Sequence, residues 1–238
     1  MKIENILIAL SFVMLAASCE DFLDERPQSD FTKEDTQTSE LESAYKSVDE
    51  AKAELNGVYA LFKADIYEAC NFYAGDCMSD NCYVGGDGVA EEQFDNINLS
   101  ATNAQVATMW SQYYAIVGSA TNVIENVKLM DSSLIDDATR ASLIADAKFA
   151  RAWVLFDIVR YWGAAPMSLE LIPSITVDNI DKWYPIMYPE RSSEEDIYAQ
   201  ILDDLSEESI ANLPSYNRGV FRGSKGGAYA LLAKVYAT

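Results

Sequence analysis

Apolar side chains recur at intervals of three and four residues in five segments of the chain, the spacing of one face of an α-helix. In the first segment the apolar positions are Ala51, Leu55, Val58, Tyr59 and Phe62. The sequence just before it, Ser47 to Glu50, is that of a capping box, in which the Ser and Glu side chains accept hydrogen bonds from backbone N–H groups. This pattern predicts a helix that begins at Ser47.

The same spacing predicts four more helices. They run from about Ala104 to Leu129, from about Ala138 to Trp162, from Ser192 to a point before Pro214, and from near Ser224 to Thr238. Gly163 and Pro166 follow the helix of residues 138–162 and predict its end. The last helix is still apolar at Thr238, so we expect the chain to be the N-terminal part of a longer protein; the alternative is a natural C-terminal helix.

Strand patterns are few, since only Met167 to Val177 reads as a short extended segment. Residues 70–103 are rich in Gly, Asp and Asn and break the helical periodicity, which predicts a long loop. The predicted fold is therefore all-α, with tetratricopeptide-like antiparallel helix pairs and long loops, because one amphipathic pair cannot bury its apolar face alone.

The first residues have the pattern of a targeting segment. Ile6 to Ala17 is apolar apart from Ser11 and is too short to cross a hydrocarbon core of about 30 Å. Small residues and then Cys19 follow, which is typical of a bacterial lipoprotein signal. We expect a signal peptide over 1–18, an acylated tether over 19–44 and a helical domain over 45–238. The alternative is a conventional signal peptide cleaved near Ala17.

The net charge of −21, from 17 basic and 38 acidic residues, argues against nucleic acid and anionic lipid headgroups as partners. The chain has no His, which excludes Ser-His-Asp and Cys-His catalysis and His-ligated zinc. No cofactor and no metal is expected, although chemistry that needs only carboxylates, as in glycosidases, stays open.

Three cysteines lie close together in the predicted loop, Cys70, Cys77 and Cys82. Since a secreted protein matures in an oxidising compartment, we expect one disulfide among them, with all three pairings open.

Several segments, in order, resemble the SusD/RagB family of outer-membrane lipoproteins of Bacteroidota. The resemblance begins at Cys19-Glu20-Asp21-Phe22-Leu23-Asp24 and is strongest over Ala147-x-x-Ala150-Arg151-Ala152-Trp153, Phe156-Asp157 and Arg160-Tyr161-x-Gly163. It continues through Arg191 to Leu205 and closes at Gly226 to Tyr236, so it covers nearly all of the chain.

This resemblance implies a helical, tetratricopeptide-like lipoprotein of the outer membrane, exposed at the cell surface. It implies binding of glycan and its delivery to a SusC-type TonB-dependent transporter, without enzymatic activity. The alternatives are a peptide-binding RagB-like relative, a carboxylate enzyme and a tetratricopeptide-like adaptor for a protein partner. In the matched helix, we expect Trp153, Phe156 and Tyr161 to be core residues, and Arg151 and Arg160 to pair with acids such as Asp157.

The candidate ligand-binding residues lie in the predicted loop, because aromatic faces and Asp or Asn side chains are what glycan recognition needs. They are Asn71, Asp76, Asp80, Asn81 and Tyr83. A second aromatic cluster, Trp183, Tyr184 and Tyr188, indicates either a partner contact or a folded-back loop.

Overall fold

The computed structural model describes residues 42–63, 67, 71–79, 81–86, 88–173, 175–216 and 221–238. The predicted signal peptide, Cys19, nearly all of the tether, Cys70 and Asp80 lie outside these ranges. In the part described, the regular structure is mostly helical, with two short strands, so the all-α prediction is confirmed.

The helices and strands follow in this order: α1 Val48–Leu61, a π-helical turn Tyr73–Cys77, α2 Val89–Asp95, α3 Ala104–Leu129, α4 Asp137–Trp162, β1 Ala165–Pro166, α5 Ile180–Met187, β2 Arg191–Ser192, α6 Glu194–Asp204, α7 Glu207–Ala211 and α8 Lys225–Ala237.

The two longest helices, α3 and α4, form an antiparallel pair. The ring of Trp110, near the start of α3, lies 5.3 Å from that of Trp162 at the end of α4. At the opposite end, the guanidinium of Arg140 in the first turn of α4 donates to the carbonyls of Val127, Lys128 and Met130. These are carbonyls that the end of α3 leaves without helical partners, so Arg140 both caps α3 and joins it to α4.

α4 is the central helix of the domain, since α1, α3 and α6 all pack against it. Most of its side chains from Leu143 to Val159 are buried, including small ones that allow neighbouring helices to approach closely. The fully buried large side chains come from all of these helices: Leu55, Ile116, Ile124, Leu155, Ile158, Ile197 and Ile201. The core therefore lies around α4, as the periodicity of its sequence predicts.

Polar side chains cap the helices where the chain leaves an extended conformation. Ser47 accepts from the N–H of Glu50, as predicted, but the Glu50 carboxylate accepts from Lys46 rather than from Ser47. Asn103 caps α3, and Ser193 caps α6 in a capping box with Asp196. The predicted start of α6 at Ser192 is thus wrong by one residue, because Ser192 is held in β2.

Three predicted boundaries and connections differ in the structure. The expected loop over 70–103 contains the π-helical turn and α2, whose residues pack on the core through Phe94. The described residues of the expected extended segment Met167–Val177 belong to no strand, whereas β1, just before it, pairs antiparallel with β2 through Ala165 and Ser192. The helix expected to continue to Pro214 is divided into α6 and α7 at Leu205 and Ser206.

The end of α4 at Gly163 is confirmed. Gly163 has a φ of 64° and a ψ of −129°, a conformation that side chains other than Gly strongly disfavour. Among the residues that the structure describes, no helix is long and apolar enough to cross a membrane.

Candidate functional site

The predicted ligand-binding segment presents three of its five residues to solvent. Tyr83 is 83% exposed, and Asp76 and Asn81 are also exposed. The backbone N–H of Asn81 donates to the Ser79 hydroxyl, which itself donates to the Asp76 carbonyl. Asp80 lies outside the described residues, so its placement stays a prediction. This outer surface offers a free aromatic face, an amide and a carboxylate for recognition of a polar ligand.

Asn71 points the other way. Its side-chain oxygen accepts hydrogen bonds from the hydroxyls of Tyr113, at 2.6 Å, and of Tyr161, at 3.3 Å. Tyr113 is fully buried, so Asn71 joins the segment to α3 and α4 instead of standing with Tyr83. The five predicted residues therefore do not form one cluster, and Asn71 has a structural role.

The π-helical turn holds the segment on a rigid support. Tyr73 packs on Phe94 of α2, with ring centroids 6.0 Å apart. α2 is in turn fixed to α3, because the amide of Asn103 donates to the carbonyl of Ala90 and to the side chain of Gln93. The exposed residues that follow this turn are thus carried by packed helices.

The cysteines of this segment are not joined in the structure. Cys77 is buried and Cys82 is half-buried, and both carry free thiols, whereas Cys70 lies outside the described residues. The disulfide expected among these three cysteines therefore stays a prediction, and Cys77 is packed inside the protein as a thiol.

Beneath the segment, the aromatic rings of α3 and α4 pack on one another. Trp110 lies 4.6 Å from Tyr114 and, like Tyr113, meets the edge of Trp162. The Tyr114 hydroxyl donates to the carbonyl of Pro166, which fixes β1 to α3. These rings are part of the support, and only their helical spacing was visible in the sequence.

A buried carboxylate lies near this aromatic layer. Asp157 accepts hydrogen bonds from Tyr67, at 3.0 Å, and from Arg160. Burial raises the pKa of Asp157, although Arg160 and Tyr67 act to lower it. Tyr67 and Arg160 already donate to the Asp157 carboxylate, and its raised pKa is explained by burial. We therefore assign Asp157 a structural role.

Arg151 forms a buried ion pair with an acid of another helix, and not with Asp157. Its guanidinium makes two hydrogen bonds of 2.8 Å to Asp204 of α6 and one of 3.1 Å to Thr121 of α3. Both arginines pair with an acid, as expected, but Asp157 is the partner of Arg160 only. The reason is geometric, since Arg151 faces the interior between three helices, where Asp204 is the acid within reach.

The core predictions for α4 are confirmed for Phe156, whereas Tyr161 is half-buried and Trp153 is exposed. Trp153 packs edge-on against Phe149 at 6.0 Å.

The second aromatic cluster is a helix, not a loop: α5 buries Trp183 and presents Tyr184 and Tyr188 to solvent, with their rings 4.9 Å apart.

A cleft that no sequence motif indicates lies between α1, α4 and the segment that precedes α8. We call it the α1–α4 cleft; it has a volume of about 670 Å³ and is lined by Lys52, Asn56, Thr139, Ser142, Leu143, Asp146, Asn212, Leu213, Pro214 and Arg222. These residues come from distant parts of the chain, so no local spacing could have shown that they share a surface.

No group of three or more Cys, Asp or Glu side chains within the described ranges is placed to hold a metal ion.

Comparison with known proteins gives one consistent result. The sequence profile described as "Starch-binding associating with outer membrane" matches residues 21–237. A SusD-like protein of Formosa agariphila is 26% identical over 254 residues, covering 99% of this chain and 43% of that protein. A SusD-like protein of Bacteroides ovatus is 25% identical, covering 99% of this chain and 39% of that protein.

Solved structures agree in fold. A SusD superfamily protein from Bacteroides vulgatus superposes with a TM-score of 0.69 at 20% identity, over 81% of this chain and 40% of that one. A laminarin-binding SusD-like protein superposes with a TM-score of 0.64 at 25% identity, over 81% of this chain and 40% of that one. The chain spans about two fifths of the length of the curated relatives it matches.

The profile covers nearly all of the chain, and the helical architecture agrees with it. The chain belongs to the SusD-like family of starch-binding proteins that associate with the outer membrane.

Proposed function

We propose that the protein captures glycan at the cell surface and delivers it to a SusC-type TonB-dependent transporter, without cleaving it. The observation that carries this proposal is the exposed Tyr83, set beside Asn81 on a segment that is supported by packed helices. A tyrosine ring offers a flat apolar face to the C–H side of a pyranose, amides donate to and accept from its hydroxyls, and carboxylates accept from them.

Family membership supports this function from a second direction. A laminarin-binding SusD-like protein shares the fold, and so does a surface glycan-binding protein from Bacteroides fluxus.

A binding role without hydrolysis agrees with the chemistry of the carboxylates. The buried carboxyl with a raised pKa, Asp157, is occupied by Tyr67 and Arg160, so it is not free to protonate a leaving group. A glycosidase uses a pair of carboxyl groups that flank the scissile glycosidic bond at a fixed separation, one of which is free to protonate the leaving group.

Anchoring through Cys19 would place the domain at the membrane surface, with residues 19–44 as a tether. An acyl chain contributes about 0.8 kcal/mol per buried CH₂, so a multiply acylated Cys19 would hold the protein firmly at the membrane. The transporter follows from the family resemblance, and the anchor follows from the pattern of Ile6 to Cys19.

The test measures binding of the chain, prepared with Cys19 replaced by Ser, to soluble starch, laminarin and other polysaccharides by affinity electrophoresis, with peptide digests in parallel. We expect saturable retention by a glycan whose chain length stays constant. Tyr83→Ala should weaken retention about tenfold, whereas Tyr236→Ala, which removes a ring that is 74% exposed on α8, should not.

Retention of peptides in place of glycans would move the function to the peptide-binding RagB-like branch. Release of new reducing ends would refute the binding-only proposal. Equal effects of Tyr83→Ala and Tyr236→Ala on retention would show that Asn81 and Tyr83 are not part of the glycan-binding surface.

A further inference from the structure

The α1–α4 cleft has the dimensions of a ligand site. Its volume of about 670 Å³ lies within the range of roughly 300–1,000 Å³ that small-molecule sites occupy. Buried Leu143 and Leu213 form apolar parts of its wall, and polar side chains surround them. An apolar wall with a polar rim is the surface that a sugar ring, with its C–H faces and equatorial hydroxyls, can fill.

The polar groups of the cleft are held in place by bonds within the protein. The Arg222 guanidinium donates to Asp146, at 3.2 Å, and to Asn56, and it lies 5.7 Å from the ring of Tyr59. Two of its five N–H groups are used in these bonds, which leaves donors for a ligand. The cleft therefore contains a preoriented guanidinium.

The carboxylate of Asp146 is already occupied. One of its oxygens accepts from the Tyr59 hydroxyl and from the N–H of Gly223, and the other accepts from Arg222. Asp146 thus serves to position Arg222, and it is screened from a ligand by the groups that bond to it.

Lys52 gives the cleft a second positive charge. It lies on the exposed side of α1, and among the described residues it has no ion-pair partner within 4 Å. With Lys52 and Arg222 against Asp146, the lining carries a net charge of +1, in a chain whose net charge is −21. A local excess of positive charge in so acidic a protein favours an anionic group at this position.

Hydroxyl and amide groups complete the rim. The side chains of Ser142, Thr139 and Asn212 lie on this surface. Groups that both donate and accept are suited to sugar hydroxyls, whereas a bare inorganic anion would use only the cations.

We propose that the α1–α4 cleft binds an acidic sugar unit, with its carboxylate between Lys52 and Arg222 and its hydroxyls on Asn56, Ser142 and Asn212. This inference rests on the proposed glycan-binding function but concerns a site separate from Tyr83. It adds a sugar-acid specificity that the Tyr83 surface does not supply.

The experiment measures binding of trigalacturonate, maltotriose and sodium sulfate to the chain with Cys19→Ser by isothermal titration calorimetry at low ionic strength. We expect trigalacturonate to bind at least about tenfold more tightly than maltotriose or sulfate. Lys52→Glu should weaken trigalacturonate binding about tenfold, and Ser142→Trp should abolish it by filling the cleft. Circular dichroism checks that each variant is folded.

Two controls make the outcome specific. Lys63→Glu reverses the charge of an exposed Lys just beyond α1 and should leave trigalacturonate binding unchanged, as should Tyr83→Ala. If Lys63→Glu weakens binding as much as Lys52→Glu, the effect is long-range electrostatics and the cleft is overturned as the site.

The remaining outcomes separate this inference from the proposed function. If sulfate binds as tightly as trigalacturonate, the cleft is a site for an anion only. If maltotriose binds as tightly as trigalacturonate, the carboxylate of the sugar contributes nothing to binding. Either result overturns the inference. Loss of polysaccharide retention on Tyr83→Ala, with no trigalacturonate binding to the unaltered chain, would leave the proposed function standing and this inference refuted. Trigalacturonate binding without any polysaccharide retention would refute the proposed function and leave the cleft as a site for an acidic sugar.

Discussion

Removal of the Asp204 carboxylate is the perturbation for which the structure gives the sharpest expectation. The side chain of Asp204 is fully buried, and that of Arg151 is 5% exposed. Asp204→Leu would leave the guanidinium inside the protein with only its hydrogen bond to Thr121. Breaking a buried ion pair on one side costs about 3–5 kcal/mol, and we expect this variant to lose that much free energy of unfolding.

The opposite change should cost less, because Asp204 has other partners. Gln200 donates to it at 3.0 Å, and the Lys148 ammonium lies 3.9 Å away. We therefore expect Arg151→Met to lose about 2–3 kcal/mol. The double variant removes both charges and should come within about 1–2 kcal/mol of the original protein, since a packed apolar pair can replace a buried ion pair.

The assay is equilibrium unfolding in urea, followed by far-UV circular dichroism and tryptophan fluorescence, for both single variants and the double variant. Unchanged slopes against urea would show that stability, and not the unfolded state, is altered. Asp203→Leu is the matched control, because the adjacent Asp203 is 65% exposed and its ion pair with Lys148 should contribute less than about 1 kcal/mol. Additive single costs, or a loss below about 1 kcal/mol in Asp204→Leu, would refute the reasoning.

Three further changes test other parts of the fold. Gly163→Ala should destabilise by about 1–3 kcal/mol in the same urea assay, because φ is 64° and the added carbon would meet Glu194 at 3.0 Å; an unchanged midpoint would contradict this. Arg140→Ala should cost about 1–2 kcal/mol and speed amide hydrogen exchange at the end of α3, where it bonds three carbonyls; exchange that stays as slow as before would show that these bonds contribute nothing. Burial raises the pKa of Asp157 in the folded state, so ionising this carboxyl opposes folding. The original protein should therefore lose stability relative to Asp157→Asn as the pH rises from below 3.8 through the raised pKa. A stability difference that does not vary with pH would show that the pKa of Asp157 is not raised by folding.

The long helices could be predicted from the sequence alone. The stripe from Leu143 to Ile158 and the stop at Gly163 mark α4 almost to the residue, because helix periodicity, capping and the conformation of Gly all depend on neighbours within a few positions. The short α2 and α5 were missed. Their helical state depends on burying Phe94 and Trp183 against other elements, which no local pattern reports.

The candidate sites divide in the same way. Tyr83 and Asn71 were both chosen as ligand-binding candidates from their chemical type alone. In the fold, Tyr83 is exposed to solvent, whereas Asn71 accepts hydrogen bonds from the hydroxyls of Tyr113 and Tyr161. Whether a polar side chain faces water or bonds inside depends on which partners the fold brings within about 3 Å, and that choice is made after the helices pack.

The sequence by itself determined the all-α class and the bounds of α3 and α4, because these are set by interactions between residues close together in the chain. The family resemblance was also visible in the sequence, because it consists of motifs that follow one another in a given order. The tertiary structure alone decided that Arg151 pairs with Asp204 across 53 positions, and that Lys52, Ser142 and Arg222 share one cleft. The reason is physical: hydrogen bonds and ion pairs act over a few ångströms, so residues distant in sequence can make them only when packing of the apolar helix faces has brought them together.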